Sequence, residues 1–350
     1  LELAELGRGR VSPNPLVGAV IVRDGQVIGE GFHAELGGLH AERAALEDAR
    51  ERGEDPAGAT MYVTLEPCAH EGRQPPCADA VLEAGIARVV IASEDPSEKA
   101  SGRGPGILRD GGVEVAFAAG AEASAARLLN QPFRKHSRTG LPFVTLKLAI
   151  SLDGQTMTPP GESPWISGEA SRALVHRWRA ESDAIAVGIG TVLADDPLLT
   201  ARLPDARQPV RVIFDSQARL PLDSQLLASL DTSPVLVLTA PHADPGRTGA
   251  LRDAGAELLI AGGSTPADRV TSALAELGRR PVTSLFLEGG RTLASAFVEA
   301  GQVDESRIFV APVDLGGDAQ ESPTARLTAL DTSSEQVGED TLTTARLKEW

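Results

Sequence analysis

Cysteine is nearly absent from this 350-residue chain. Cys68 and Cys77 are the only two, which excludes a disulfide-stapled scaffold and points to a reducing compartment. Aromatic residues make up 3%, too few for a platform that stacks nucleic-acid bases. Positive charge is also short, with 33 Lys and Arg against 49 Asp and Glu, a net charge of −16. Nucleic acids and cell membranes are themselves anionic, so neither is an expected partner. Lys occurs only at 99, 135, 147 and 348, which reads as genomic bias toward Arg before chemistry. No apolar run approaches the roughly 18–20 residues needed to cross a bilayer. The opening Leu1-Glu2-Leu3-Ala4-Glu5 lacks a basic stretch followed by an apolar core, so no signal peptide is visible. A cytoplasmic protein is the expectation, and the absence of an initial Met suggests a segment before Leu1.

What is present is ordinary globular composition, 42% hydrophobic and 23% charged, excluding general disorder. The length predicts two domains, with a third not excluded. Leu16–Val22 reads as a buried strand, and Asp24-Gly25 as a hairpin turn into Val27-Ile28-Gly29. The Ala/Glu/Arg/Leu composition of Leu39–Arg52 predicts a helix stopped by Gly53. Strand Thr60–Leu65, a Pro/Gly-dense loop through Pro76, helix Ala78–Ala84 and strand Arg88–Ala92 follow. The result is a compact α/β unit. The polar, basic stretch 131–140 breaks the pattern and is the expected boundary, giving domains 1–138 and 139–350. The second domain reads as another α/β series, from strand Phe143–Ala149 to strand Ser306–Pro312, with a weaker strand-like tail.

The chemistry of the first domain sits in three short pieces. His40-Ala41-Glu42 opens a predicted helix, Glu66-Pro67-Cys68 closes a predicted strand, and Cys77 follows after eight residues. Zinc deaminases carry H-x-E followed by P-C-x-x-C, and the match here departs only in the longer gap between cysteines. One imidazole and two thiolates hold Zn²⁺ with a fourth position open for water, as catalytic zinc requires. A carboxylate two residues from the His ligand can then carry the water's proton to a leaving amine. The plainer reading makes both cysteines small core residues and His40 a cap, but both of the chain's cysteines fall where the signature needs them.

Ser12-Pro13-Asn14-Pro15-Leu16-Val17-Gly18, Gly29-Glu30-Gly31-Phe32-His33, His40-Ala41-Glu42, residues 64–73, Pro75-Pro76-Cys77 and Asp95-Pro96 together resemble the riboflavin-biosynthesis deaminase. The long cysteine gap is characteristic of that family. The resemblance implies zinc ligands His40, Cys68 and Cys77, with Glu42 as the proton shuttle. It also implies that Asn14 holds the pyrimidine edge while His33 and His70 line the pocket. The family's opening helix is expected to be represented only by its end, Leu1–Leu6.

The second half speaks less clearly by itself. Gly188-Ile189-Gly190-Thr191 and Glu288-Gly289-Gly290 follow predicted strands and precede helical segments, where backbone N–H groups can hold phosphate. No G-x-G-x-x-G follows the first strand, which disfavours a Rossmann fold. Gly102-Arg103-Gly104-Pro105-Gly106 is a weak phosphate loop, because no Lys-Ser/Thr follows it. Lys147–Gly154, Gly161–Ile166, Arg179–Ala184, Gly188–Pro197, Leu199–Arg202, Asp215-Ser216 and Glu288–Gly290 resemble the riboflavin-pathway reductase, a relative of dihydrofolate reductase. The expected architecture is therefore a cytidine-deaminase-like zinc domain followed by a dihydrofolate-reductase-like domain.

By that resemblance NADPH lies along Ala149, Trp165, Thr191, Asp195, Ser216, Gly290, Arg291, Thr292, Leu293, Ala294, Ser295 and Ala296. The substrate meets Ser163, Arg179, Leu199, Arg202 and Glu288, with Arg179 and Arg202 holding its phosphate through guanidinium forks. Lys147, Asp195 and Glu288 are the candidate proton donors. The implied function is zinc-hydroxide deamination of 2,5-diamino-6-ribosylamino-4(3H)-pyrimidinone 5′-phosphate, then NADPH reduction of ribosyl to ribityl, in a homodimer or larger assembly. Two rivals remain open. A deaminase of nucleic acid or free nucleosides is opposed by the charge and the cysteine gap. A structural-zinc scaffold that merely binds nucleotide would give Glu42 no purpose.

Overall fold

The computed structural model describes residues 1–69, 71, 74–97, 101–156, 165–316 and 322–350. His70 and Ser163 lie outside the described residues. The chain divides into two compact units, Leu1–Thr139 with Trp350, and Gly140–Glu349.

The first unit runs α1 (Glu2–Glu5), β1 (Gly18–Arg23), β2 (Gln26–Phe32), α2 (Ala41–Glu51), β3 (Thr60–Val63), α3 (Cys77–Glu83) and β4 (Arg88–Ile91). It continues with α4 (Arg103–Asp110), β5 (Glu114–Phe117), α5 (Ala121–Leu129) and α6 (Gln131–Thr139). The strands form one sheet in the order β2-β1-β3-β4-β5, antiparallel across β1 and parallel from β3 to β5. Small residues bring α2 unusually close to this sheet. Gly29 and Gly31 alternate on β2 and face Ala44, Ala45 and Ala49 on α2, so these small residues share one contact surface. A Cβ added at Gly31 would lie 2.4 Å from the Ala45 nitrogen, and one at Gly29 would lie 2.5 Å from the Ala45 oxygen.

Two stretches depart from the sequence expectation. The segment 131–140, expected as a break in the pattern, is helix α6. Its polar residues are buried because they have partners: Arg134 is 1% exposed and bonds Glu94 Oε1 at 2.5 Å and Ser93 Oγ at 3.0 Å. The Gly-rich segment from Gly102 is the start of helix α4, with Gly102 as its left-handed cap at φ 70°.

The second unit begins β6 (Phe143–Ile150), α7 (Glu169–Glu181), β7 (Ala184–Gly188), α8 (Ile189–Asp195), β8 (Val210–Phe214), α9 (Gln225–Ala228), β9 (Val235–Thr239) and α10 (Pro245–Asp253). It ends β10 (Glu257–Ile260), α11 (Pro266–Gly278), β11 (Ser284–Leu287), α12 (Arg291–Glu299), β12 (Glu305–Val310), β13 (Asp331–Val337) and β14 (Asp340–Arg346). The nine strands order as β10-β9-β8-β7-β11-β6-β12-β14-β13. From β10 to β12 the pairing is parallel, and the last two strands are an antiparallel hairpin. The central strands Ala-Ile-Ala-Val and Ser-Leu-Phe-Leu are near-continuous apolar runs because both faces are covered. Residues of α11 and α12 pack one core cluster, and residues of α7 to α10 pack the other.

Candidate functional site

The first site assembles where α2, α3 and the loop after β3 meet. His40 is the residue before α2, and its N–H is directed at Gln74 Oε1, 3.4 Å away. Gln74 is tied in turn by its Nε2 to the Gly38 carbonyl at 2.6 Å. Cys77 is the first residue of α3, and Cys68 ends the segment that leaves β3. His40 Nδ1 lies 3.5 Å from Cys68 Sγ and 3.3 Å from Cys77 Sγ. A tetrahedral zinc with bonds of about 2.1 Å to nitrogen and about 2.3 Å to sulfur has edges of about 3.6 Å between those donors. The three ligand atoms all lie within 4.8 Å of one another, the one such metal-ligating group found among the described residues. The donor set therefore fits zinc, which the histidine would hold through Nδ1.

The three donor groups contact one another. The Cys77 thiol donates toward Cys68, which holds the Cys68 thiol down at about 4, and Cys77 is pushed up by the same bond and by burial. Bonding to Cys68 raises His40. A thiolate, a thiol and an imidazole around one point are the proton-loaded form of a metal site, since metal binding displaces the protons. Glu42 sits in the first turn of α2 and is 3% exposed. Burial raises its carboxyl to about 7, the range in which a group can both accept and return a proton near neutrality.

Asn14 and His33 form the wall. His33 Nδ1 lies 2.9 Å from the Leu39 carbonyl, so that nitrogen carries the proton and Nε2 accepts from Asn14 Nδ2 at 3.0 Å. Burial lowers the His33 pKa, in keeping with a neutral ring. This relay fixes the Asn14 amide with its oxygen as the remaining acceptor. Sequence reading missed Gln74, and it missed why Gly104 is glycine. A Cβ there would lie 1.8 Å from the Pro67 oxygen, and the neighbouring Gly102 N–H bonds Glu66 Oε2 at 2.8 Å. Helix α4 is thus pressed directly against the loop that carries Cys68.

In the second unit, Glu288 follows β11 and Lys147 lies on β6, the neighbouring strand in register. Arg179, near the end of α7, bonds Glu288 twice, Nε to Oε1 at 2.7 Å and Nη2 to Oε2 at 2.9 Å. Burial alone would raise Glu288, but the charge and hydrogen bonds of Arg179, with the nearby Lys147 and His176, together outweigh it and leave the carboxyl low. Lys147 is lowered by its burial, with Glu288 opposing and Arg179 adding to the shift. The third Arg179 nitrogen, Nη1, bonds the Thr200 carbonyl at 3.2 Å. Arg202 is exposed, and its guanidinium makes no ion pair among the described residues. Leu199 has φ 55° and is 3% exposed, so it can offer a ligand only its backbone. The loop is held open at this strained turn by buried Arg211, whose Nη1 reaches the Leu198 carbonyl at 3.3 Å, a support that sequence reading also missed.

The expected cofactor strip is partly drawn together. Gly290 precedes α12 without a side-chain cap, and a Cβ at Gly290 would lie 3.9 Å from Thr191 Oγ1. A Cβ at Gly188 would likewise meet Leu293 at 3.7 Å. An uncapped helix start lined by glycine suits a pyrophosphate. Trp165 is 58% exposed with the Arg172 guanidinium 5.3 Å from its ring centre, and Ala149 and Ser216 are half-buried. Arg291, Leu293 and Ser295 are half-buried and Thr292 is exposed, whereas Ala294 and Ala296 face the core. Asp195 is exposed at the end of α8. No helix among the described residues is long and apolar enough to cross a membrane.

A zinc deaminase domain joined to a reductase domain is the class these two sites define. Residues 1–93 match the cytidine and deoxycytidylate deaminase zinc-binding region, and residues 142–343 match the RibD C-terminal domain. The riboflavin biosynthesis protein RibD of Actinobacillus pleuropneumoniae is 42% identical over 323 residues, covering 92% of this chain and 84% of that protein. The chain belongs to the RibD family of riboflavin biosynthesis and is a bifunctional deaminase and reductase. RibD of Escherichia coli K12 is 41% identical over 342 residues, covering 91% of this chain and 88% of that protein. Among solved structures, the Thermotoga maritima deaminase/reductase has TM-score 0.84 and 37% identity, covering 99% of this chain and 96% of that one. Acinetobacter baumannii RibD has TM-score 0.85 and 40% identity with the same coverage. The family's deaminase domain binds zinc and its reductase domain is NADPH-dependent.

Proposed function

We propose that residues 1–138 deaminate 2,5-diamino-6-ribosylamino-4(3H)-pyrimidinone 5′-phosphate at C2, and that residues 139–350 then reduce the ribosyl group at C1′ to ribityl. The observation that carries the first half is Glu42, a buried carboxyl raised to about 7 beside a His-Cys-Cys ligand set. His40, Cys68 and Cys77 would hold the zinc, whose chemistry there would be an activated water at neutral pH. Glu42 takes that water's proton and passes it to the departing amine, while Asn14, fixed by His33, holds the pyrimidine edge. Ammonia leaves, and no covalent bond to the enzyme is made.

NADPH supplies the hydride for the second step. Gly290 and the start of α12, with Thr191 alongside, would hold its pyrophosphate. The Arg179–Glu288 pair orients the ribosyl chain, Arg202 holds the 5′-phosphate with the positive field of Arg179 behind it, and Lys147 stands beside Glu288 as proton source. Positioning C1′ against the nicotinamide accounts for most of the rate. The low cysteine content and the lack of a membrane-spanning helix among the described residues favour the cytoplasm, and the assembly is a homodimer or larger. Incubation with the diaminopyrimidine phosphate tests this reading: ammonia should appear without NADPH, and NADPH should be consumed only as the deaminated product accumulates. NADPH consumption with no ammonia release would contradict it.

A further inference from the structure

His176 lies on α7 three residues before Arg179 and was no part of the expected site. Its Nδ1 is 3.2 Å from the Thr200 carbonyl and 3.4 Å from the Arg202 backbone nitrogen. Nδ1 donates to the Thr200 carbonyl when it carries a proton and accepts from the Arg202 N–H when it does not. Nε2 has no hydrogen-bond partner among the described residues and is not enclosed. The imidazole therefore stands at the root of Arg202, with one nitrogen anchored and the other open.

The loop has supports besides His176. Gln208 bonds both backbone groups of Ala201, each at 2.9 Å. Arg211 holds the Leu198 carbonyl, and Arg179 already bonds the Thr200 carbonyl. Meanwhile Arg179 has both prongs of its fork on Glu288, so it cannot present that fork to a phosphate. Of the two expected phosphate arginines, only Arg202 therefore has its guanidinium free for a dianionic phosphate, and Ser163 lies outside the described residues.

We infer that His176 is the second phosphate ligand of the reductase site: the ring takes up a proton from solvent as the substrate's 5′-phosphate binds, and the imidazolium then donates from Nε2 to the phosphate and from Nδ1 to Thr200. This rests on the reading that Arg202 holds the phosphate. The charged groups facing the ring are Arg179 on its own helix, Arg202 on the loop and Glu288 after β11. Burial first, and then Arg179, keep the pKa of the imidazole below its usual value in the empty site. A dianion placed beside it reverses that balance, because a nearby opposite charge favours the charged form.

The full-length protein tests this with His176→Gln, which keeps a donor for Thr200 but cannot titrate, and with Arg202→Ala as reference. Reductase kinetics with the deaminated phosphoribosyl substrate should show KM raised about tenfold in His176→Gln with kcat nearly unchanged. Calorimetry of ribose 5-phosphate binding in two buffers of different ionisation enthalpy should show proton uptake in the wild type, reduced in the variant. If Arg202→Ala raises KM while His176→Gln changes neither KM nor uptake, the inference fails and the phosphate site stands. If Arg202→Ala leaves KM unchanged, the phosphate site itself is misplaced and the inference falls with it. A His176→Gln variant that loses kcat and KM together, with proton uptake intact, would show a merely structural role and overturn the proposal.

Discussion

Arg179 holds Glu288 through two parallel hydrogen bonds of 2.7 and 2.9 Å, joining the end of α7 to the residue that closes β11. Both side chains are largely buried, at 14% and 10% exposure, so each charge depends on the other. Removing one partner of such a pair typically costs about 3–5 kcal/mol, because the survivor is left uncompensated.

That pair makes stability depend on acid. Glu288 is held below the usual carboxylate value of 4.5. Its stabilisation is complete above that unfolded value and is lost as pH falls through the lower folded one. Glu288→Gln should therefore be several kcal/mol less stable at pH 7 and should lack part of the wild-type loss below pH 4.5. Urea unfolding followed by tryptophan fluorescence reads this in the second unit, which holds Trp165 and Trp178. Parallel pH curves for the two proteins would refute it.

Gly104→Ala should damage deamination selectively. The added carbon meets the Pro67 oxygen at 1.8 Å, so the loop bearing Cys68 or helix α4 must shift. Overpacking of this kind costs about 1–3 kcal/mol. Zinc content by mass spectrometry should fall and ammonia release should drop at least tenfold, with reductase turnover on preformed product retained. Full zinc occupancy with normal deamination would show that the contact relaxes harmlessly.

Gly290→Asp separates cofactor binding from folding. Gly290 has φ −64° and ψ 173° and precedes α12 without a side-chain cap. Asp is a good residue for that position, so stability should hold or rise by a few tenths of a kcal/mol. The same carboxylate would face the pyrophosphate, and the Kd for NADPH in a fluorescence titration should rise at least tenfold. An unchanged Kd would move the pyrophosphate away from this helix.

The metal site was legible because its chemistry is written in short stretches: His40, Glu42, Cys68 and Cys77 can be recognised before any fold is known. What fixes their geometry was harder to see. Gly104-Pro105-Gly106 has the composition of a loop, yet it lies in helix α4, where glycine at 104 permits the approach to Pro67. Helix α6 was hidden for the opposite reason, since Gln131, Arg134 and Lys135 look like surface residues and are buried only because partners elsewhere satisfy them. His176 carries no motif at all; only the fold sets it against Thr200 and Arg202.

Glu42→Gln in the full-length protein tests the central claim, two chemistries in fixed order on one chain, most directly. The variant should retain its zinc, lose at least a hundredfold in ammonia release, and consume no NADPH when given the diaminopyrimidine phosphate. Given the deaminated product instead, it should consume NADPH at the wild-type rate. Normal ammonia release by the variant would remove Glu42 from the proton path, and NADPH consumption with the undeaminated substrate would overturn the order of the two steps.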